Sequence, residues 1–288
     1  MGGGSWTRDN FTSYVTTAKC AMVDDFGVVR GLNSVQDNFK SRCLVAELNP
    51  KNVVRECVDS AEHPNTKPVI LALDVTGSMG SAAMEVAKQI NVVMTSLYEK
   101  MTDVEFMIMG IGDLAYDNAP IQASQFESDI RIAEQLDKIY FEGGGGGGNS
   151  YESYTAAWYF GLNHTKLDCW NRGQKGVIIT MGDEPLNPYL PKNTLSVATG
   201  DNLQDDVETA QLYKDASEKF DIYHLYVKHG YGRYEEAVKD TFGKFLDTNH
   251  LKTTSVNKIA DDIIEIVTNA FTGSDTSTFV NTSEGISW

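Results

Sequence analysis

Residues 67–80, KPVILALDVTGSMG, constrain the fold more tightly than any other stretch of the chain. An apolar run over residues 69–73 delivers Asp74 into a short loop that carries Thr76 and Ser78, and a helical pattern then runs from about Ser81 to about Lys100. A short charge-free run beside Pro and Gly reads as a strand buried on both faces. The stripe Ala83, Val86, Ala87, Ile90, Val93, Met94 and Leu97 keeps the i, i+3, i+4, i+7 spacing of a helix covering a sheet. In open α/β sheets ligands sit at the carboxyl ends of such strands. Asp74, Thr76 and Ser78 are spaced i, i+2, i+4, so the loop offers three oxygens that can converge on one small hard cation.

The same alternation continues downstream. Strands are predicted at residues 103–111, 175–181, 221–227 and 253–256, with a short edge strand near 121–126. Helices are predicted at 130–139, 152–163, 204–220, 234–246 and from Ile259 onward, and a proline-punctuated loop at 186–200. Strands alternating with helices imply right-handed crossovers, and hence a doubly wound α/β fold with a mostly parallel central sheet and helices on both faces. The expected organisation is an N-terminal extension (1–66) packing on the main domain, the α/β domain (67–271) and a mobile C-terminal tail (272–288). The extension shows two weak helical patterns, at 34–47 and 52–60.

Charge narrows the function. Lys plus Arg number 24 against 40 Asp plus Glu, a formal net charge of −16. With no basic stripe, a nucleic-acid backbone is not the expected partner. An acidic surface instead attracts cations and basic groups. No apolar run approaches the length of a membrane span, and MGGGSWTRDNF lacks the basic-then-apolar order of a secretory signal. MGGGSW falls short of a myristoylation start, because Ser5 comes one place early and no polybasic cluster follows. Cys20, Cys43, Cys57 and Cys169 form no CxxC pair and read as reduced thiols, so the expected location is cytoplasmic. Gly110 to Ala115 match GxGxxA after a strand, yet Tyr116, Asp117, Asn118 and Pro120 follow instead of a helix that would receive a pyrophosphate.

Three loops therefore carry the chemistry. They are Asp74 to Ser78, the glycine run 143–148 ending in Asn149 and Ser150, and Gly182-Asp183-Glu184. They offer carboxylates and hydroxyls without Cys or His, a donor set that selects Mg²⁺, Mn²⁺ or Ca²⁺ over zinc or copper.

Asp74-Val75-Thr76-Gly77-Ser78 resembles the DxSxS signature of von Willebrand factor A (vWA) domains, whose metal-ion-dependent adhesion site (MIDAS) lies at this strand end; the resemblance spans residues 67–271. It implies a magnesium site in which Thr76 and Ser78 give hydroxyls and Asp74 acts directly or through water. For the second loop it implies Ser150, with Asn149 and Glu152 as competitors. For the third it implies Asp183, with Glu184 in reserve, since Thr180-Met181-Gly182-Asp183 stands in place of Thr-Asp-Gly. The function implied is a protein-interaction module, not an enzyme, that captures an acidic side chain of a protein partner. Similarity to intracellular members points to an AAA+ ATPase or another component of a multiprotein assembly. One alternative is a Mg²⁺-dependent phosphohydrolase with Asp74 as nucleophile, although Thr76 replaces the second Asp that aspartyl-phosphate chemistry needs. Another is a structural scaffold with a vestigial metal site.

Overall fold

The computed structural model of the protein describes residues 4–141, 151–228 and 234–273. The chain opens with helix α1 (Arg8–Ala18), a small hairpin of β1 (Met22–Val23) and β2 (Val29–Arg30), a single helical turn α2 (Val35–Asn38) and β3 (Arg55–Cys57). Then come β4 (Lys67–Asp74), α3 (Gly80–Tyr98), β5 (Val104–Ile111), β6 (Ile121–Ala123) and α4 (Arg131–Asp137). The next elements are α5 (Thr155–Asn163), β7 (Thr165–Leu167), β8 (Gly176–Gly182), β9 (Tyr189–Leu190), α6 (Lys192–Thr199) and β10 (Val207–Glu208). The described chain closes with α7 (Thr209–Ser217), β11 (Phe220–Val227), α8 (Glu235–Phe242), β12 (Leu251–Thr254) and α9 (Ile259–Thr272).

Six strands make the central sheet in the order β12-β11-β8-β4-β5-β6, all parallel except β6, which runs antiparallel at one edge. Side chains of β4 alternate between two buried layers. Val69, Leu71 and Leu73 pack with Val86 and Ile90 of α3 and Ile263 of α9; Ile70 and Ala72 pack with Trp158 and Phe160 of α5 and Phe242 of α8. Helices thus cover both faces, and the doubly wound α/β architecture expected from the charge-free strands is present. From β4 the chain moves to β5 and β6 on one side, then returns to lay β8, β11 and β12 on the other. Winding reverses between β4 and β8, where Leu73 lies opposite Met181, and the loops leaving these two strands lie side by side at the carboxyl end of the sheet.

The N-terminal residues are fastened to this body. Phe11 and Val15 of α1 are buried in the α3 layer, and Trp6 donates its indole N–H to Asn91 Oδ1 at 3.0 Å. β3 pairs in parallel with β7. Lys19 Nζ lies 2.8 Å from Asp137 Oδ1 with its side chain only 4% exposed. Asp137 also accepts from Tyr14 Oη at 2.6 Å and Asn38 Nδ2 at 2.9 Å. Burial pushes the Asp137 carboxyl up and the Lys19 charge pulls it back down.

Several predicted elements change. The helical pattern at 34–47 yields only the turn α2 and a 3₁₀ turn (Ala46–Leu48), and the one at 52–60 is the strand β3. Helix α1 was not expected, because only Phe11 and Val15, one turn apart, are buried in an otherwise polar Ser/Thr/Asn segment. The proline-punctuated loop contains α6, with Pro191 as the residue before its first turn and Leu195 and Thr199 buried. The helix expected from residue 204 begins at Thr209, since residues 207–208 pair with β9 and Asp206 accepts from the Lys192 amide at 2.9 Å. No helix among the described residues is long and apolar enough to cross a membrane. The glycine run, Asn149, Ser150, His229 and the tail from residue 274 lie outside the described residues.

Removing one member of the Lys19–Asp137 pair strands the other charge in the interior. Asp137→Ala is expected to lower the unfolding free energy by about 3–5 kcal/mol in urea titrations. Adding Lys19→Met should recover part of that loss; a double variant weaker than Asp137→Ala would contradict the ion-pair account.

Candidate functional site

Asp74 ends β4 fully buried, and its two oxygens are held separately. Oδ1 accepts from the Thr76 amide at 2.9 Å and the Thr76 hydroxyl at 2.5 Å. Oδ2 accepts from Tyr154 Oη at 2.7 Å. This local bonding follows from the sequence, since an Asp two residues before a Thr forms an Asx-type turn with it. The chain then makes a 3₁₀ turn (Gly77–Met79) and enters α3, leaving Thr76 half-buried and Ser78 exposed.

The third loop leaves β8 beside it. Ser78 Oγ donates to Asp183 Oδ1 at 3.0 Å and lies 3.5 Å from Thr76 Oγ1. Asp74, Thr76, Ser78 and Asp183, residues 109 positions apart at the extremes, thus stand in one hydrogen-bonded chain. Ser150 and Asn149 lie outside the described residues. Their competitor Glu152 is buried, bridges to Leu186 beyond the third loop, and has Oε2 without a hydrogen-bond partner among the described residues. Glu184 is half-buried at the same mouth, and its amide donates to Tyr154 Oη at 3.3 Å.

Electrostatics mark this mouth as strongly acidic. Burial is the largest influence raising the Asp74 carboxyl; the bonds from Thr76 and Tyr154 oppose it and the Asp183 charge adds to it. Glu152 is raised by burial first, and then by Asp74, Glu184, Asp117 and Asp113. Asp113 and Asp117 belong to a loop after β5 that the sequence reading treated only as a failed dinucleotide fingerprint. Asp113 is buried with Oδ2 unpartnered among the described residues, and Leu114 donates its amide to Ser153 Oγ at 3.0 Å, seating this loop against Glu152. Among the described residues no three His, Cys, Asp or Glu side chains stand close enough to hold a metal by themselves. A cation here would have to be held by mixed donors, the hydroxyls of Thr76 and Ser78 with the carboxylates of Asp74 and Asp183. Oxygen-only donors of this kind suit Mg²⁺.

Tyr154 was also missed. Its sequence signal, an aromatic before Trp158, Tyr159 and Phe160, is that of an ordinary core residue. Space for it comes from Gly182, where an added Cβ would fall 1.9 Å from the Tyr154 hydroxyl oxygen. Behind the ring lies fully buried His224, stacked on Phe242 at 3.8 Å and tilted against Tyr154 at 5.1 Å. Thr180 Oγ1 lies 2.9 Å from His224 Nδ1, and Nε2 has no partner among the described residues.

No known family's sequence profile matches this chain, and no curated protein matches it in sequence. Among solved structures it is similar to the pilus adhesin SpaC from Lactobacillus rhamnosus GG in its open conformation, at 12% identity over 78% of this chain and 31% of the adhesin, with a TM-score of 0.49. The chain thus spans about a third of that adhesin. It is also similar to proximal thread matrix protein 1 from the mussel byssus (11% identity, 72% of this chain, 48% of that one, TM-score 0.45). A third similarity is to the vWF domain of the type V pili tip protein Mfa5 from Porphyromonas gingivalis (13% identity, 72% of this chain, 96% of that one, TM-score 0.43).

Burial lowers the His224 pKa from 6.5 to about 3, so the fold holds the neutral ring. Its contribution to stability is complete above pH 6.5 and is lost as the pH falls toward 3. Between pH 6.5 and about pH 5 this loss amounts to about 2 kcal/mol. Between the two ends of that range the unfolding free energy of wild type should fall by about 2 kcal/mol more than that of His224→Phe in denaturant titrations. Parallel pH profiles would show that His224 does not titrate as its burial requires.

Proposed function

We propose that the chain is a cation-dependent protein-interaction module of the vWA kind. Asp74, Thr76, Ser78 and Asp183 hold a Mg²⁺ ion, or Mn²⁺ or Ca²⁺ in its place, with Ser150 as the second-loop hydroxyl. The observation that carries this reading is the meeting of Asp74, Thr76, Ser78 and Asp183 from two loops in one hydrogen-bonded chain at the end of the central strands. Four oxygen donors so placed suit a small hard cation. When bound, the ion supplies an open coordination position for a carboxylate from an acidic side chain of a protein partner. The protein's part is to hold the donors in register: Thr76 fixes Asp74 Oδ1, and Ser78 spans to Asp183. The partner we propose is a protein presenting an acidic side chain within a multiprotein assembly, such as an AAA+ ATPase, in the cytoplasm; what supports it is the resemblance of the Asp74–Ser78 loop to the DxSxS signature and four cysteines without a CxxC pair.

The phosphohydrolase alternative is weaker on geometry. Thr76 and Tyr154 place three donors on the Asp74 carboxylate, which lowers the nucleophilicity of its oxygens. Position 76 also lacks the carboxyl that would act as acid and base. The scaffold reading differs from the module only in whether the ion matters, which is measurable.

Mg²⁺ at about 100 times its Kd should raise the unfolding free energy by about 2.7 kcal/mol. Asp183→Asn and Ser78→Ala should remove most of that gain in calorimetric titrations. Pull-downs from native lysate in Mg²⁺, in EDTA and with Asp74→Ala should recover the partner only in the first. An identical partner set in all three would reject the module in favour of the scaffold.

A further inference from the structure

We propose that a cavity beside α6 docks one bulky apolar side chain of an acidic protein segment, whose carboxylate meets Lys51 at the rim. The cavity holds about 330 Å³ and is lined, among the described residues, by three parts of the chain. Thr194, Val197 and Ala198 form one wall from α6, with the i, i+3, i+4 spacing of a single helix face. Leu114, Pro120 and Ile121 come from the loop after β5 and the start of β6, and Leu44 and Pro50 from the N-terminal residues. A volume at the small end of ligand sites suits a side chain better than a cofactor.

The walls leave apolar surface in water. α6 buries Leu195 and Thr199 in the body, and a different face of the helix looks onto the cavity. Val197 on that face is 70% exposed, and Tyr116, in the loop of the facing wall, is 57% exposed. Covering such surface with a partner's side chain is favourable in proportion to the apolar area removed from water.

Charge and position select the occupant. Lys51 is exposed at the rim, and its ammonium has no hydrogen bond or ion pair among the described residues. Asp117, on the same lining, accepts the Asp113 amide on Oδ2 at 2.7 Å and acts on Glu152, so Lys51 is the charge left to face a partner. An acidic segment, repelled by a chain of net charge −16, finds a cation here. Leu114 lines the cavity while its amide donates to Ser153 Oγ at 3.0 Å, next to Glu152. The loop that walls the cavity therefore also borders the acidic mouth, and a protein seated on the mouth meets the cavity with the same face.

The test is made in EDTA, which takes the ion out of the measurement. Amide NMR spectra of the full chain are titrated with the capped peptide Gly-Gly-Asp-Phe-Asp-Gly-Gly and with versions carrying Ala for Phe or Lys for both Asp. The Phe peptide should shift amides of α6 and of residues 117–121, and bind about tenfold more tightly than the Ala version. Val197→Asp, on an exposed helix face, should lower its affinity about tenfold and leave the remaining spectrum unchanged. Lys51→Glu should weaken it about threefold, abolish its salt dependence and prefer the Lys version of the peptide. Equal binding of the Phe and Ala versions, or shifts that persist in Val197→Asp, overturn the proposal. So does self-association of the chain alone that shifts the same amides, because a second copy is then the occupant. None of these results bears on the cation reading, and failure of Mg²⁺ to bind leaves this proposal standing.

Discussion

The arrangement depends on one costly placement, a carboxylate at the buried end of the central strand. Asp74 is fully buried between β5 and β8, where a charge is expensive unless every lone pair is used. The bonds from Thr76 and Tyr154 offset part of that cost, and Asp183 adds to it. The neighbouring elements serve the same placement. The turn after β4 brings Thr76 back onto Asp74, β8 ends in a glycine so that Tyr154 can reach it, and α5 starts where Tyr154 must stand.

Topology explains why these groups meet. Parallel strands deliver their carboxyl ends to one side of the sheet, and the reversal of winding between β4 and β8 keeps crossover helices from covering the gap. Asp74 and Asp183 leave adjacent strands into that gap. Glu152 arrives from the segment before α5, and Asp113 from the loop after β5. The acidic mouth is a consequence of strand order, and the same residues on an antiparallel meander would be scattered over both ends.

What was readable in the sequence tracks how local the cause is. β4, β5, β8 and β11 are charge-poor apolar runs buried on both faces, so each could be located to within a residue or so. That Asp74, Thr76, Ser78 and Asp183 come together follows from two such strands, since Asp74 ends β4, Thr76 and Ser78 lie in the turn after it, and Asp183 follows β8. Residues 4–66 resisted reading because α1, α2 and β3 are short and stabilised by distant partners, Asn91, Asp137 and β7, which no window of sequence contains. Tyr154 was hidden for a related reason. Its bond to Asp74 spans 80 positions, and an aromatic residue entering a helix looks the same whether its hydroxyl is idle or employed.

The distribution of acid also separates structural from functional burial. Asp137 is buried with a lysine, a tyrosine and an asparagine on its oxygens, so its charge is neutralised within the fold. Glu152 is also buried, yet the charges that act on it most strongly, Asp74, Glu184, Asp117 and Asp113, are all of its own sign. Both environments occur in one chain, so the second is not a general tolerance of this fold for buried acid. Burial and like charges push the Glu152 carboxyl up, so the fold holds its proton where Asp137 is met by a lysine. Carboxylates perturbed in this way cluster at functional sites more often than elsewhere. That contrast is the physical reason for proposing function at the β4–β8 mouth and only stability at the Lys19–Asp137 cluster.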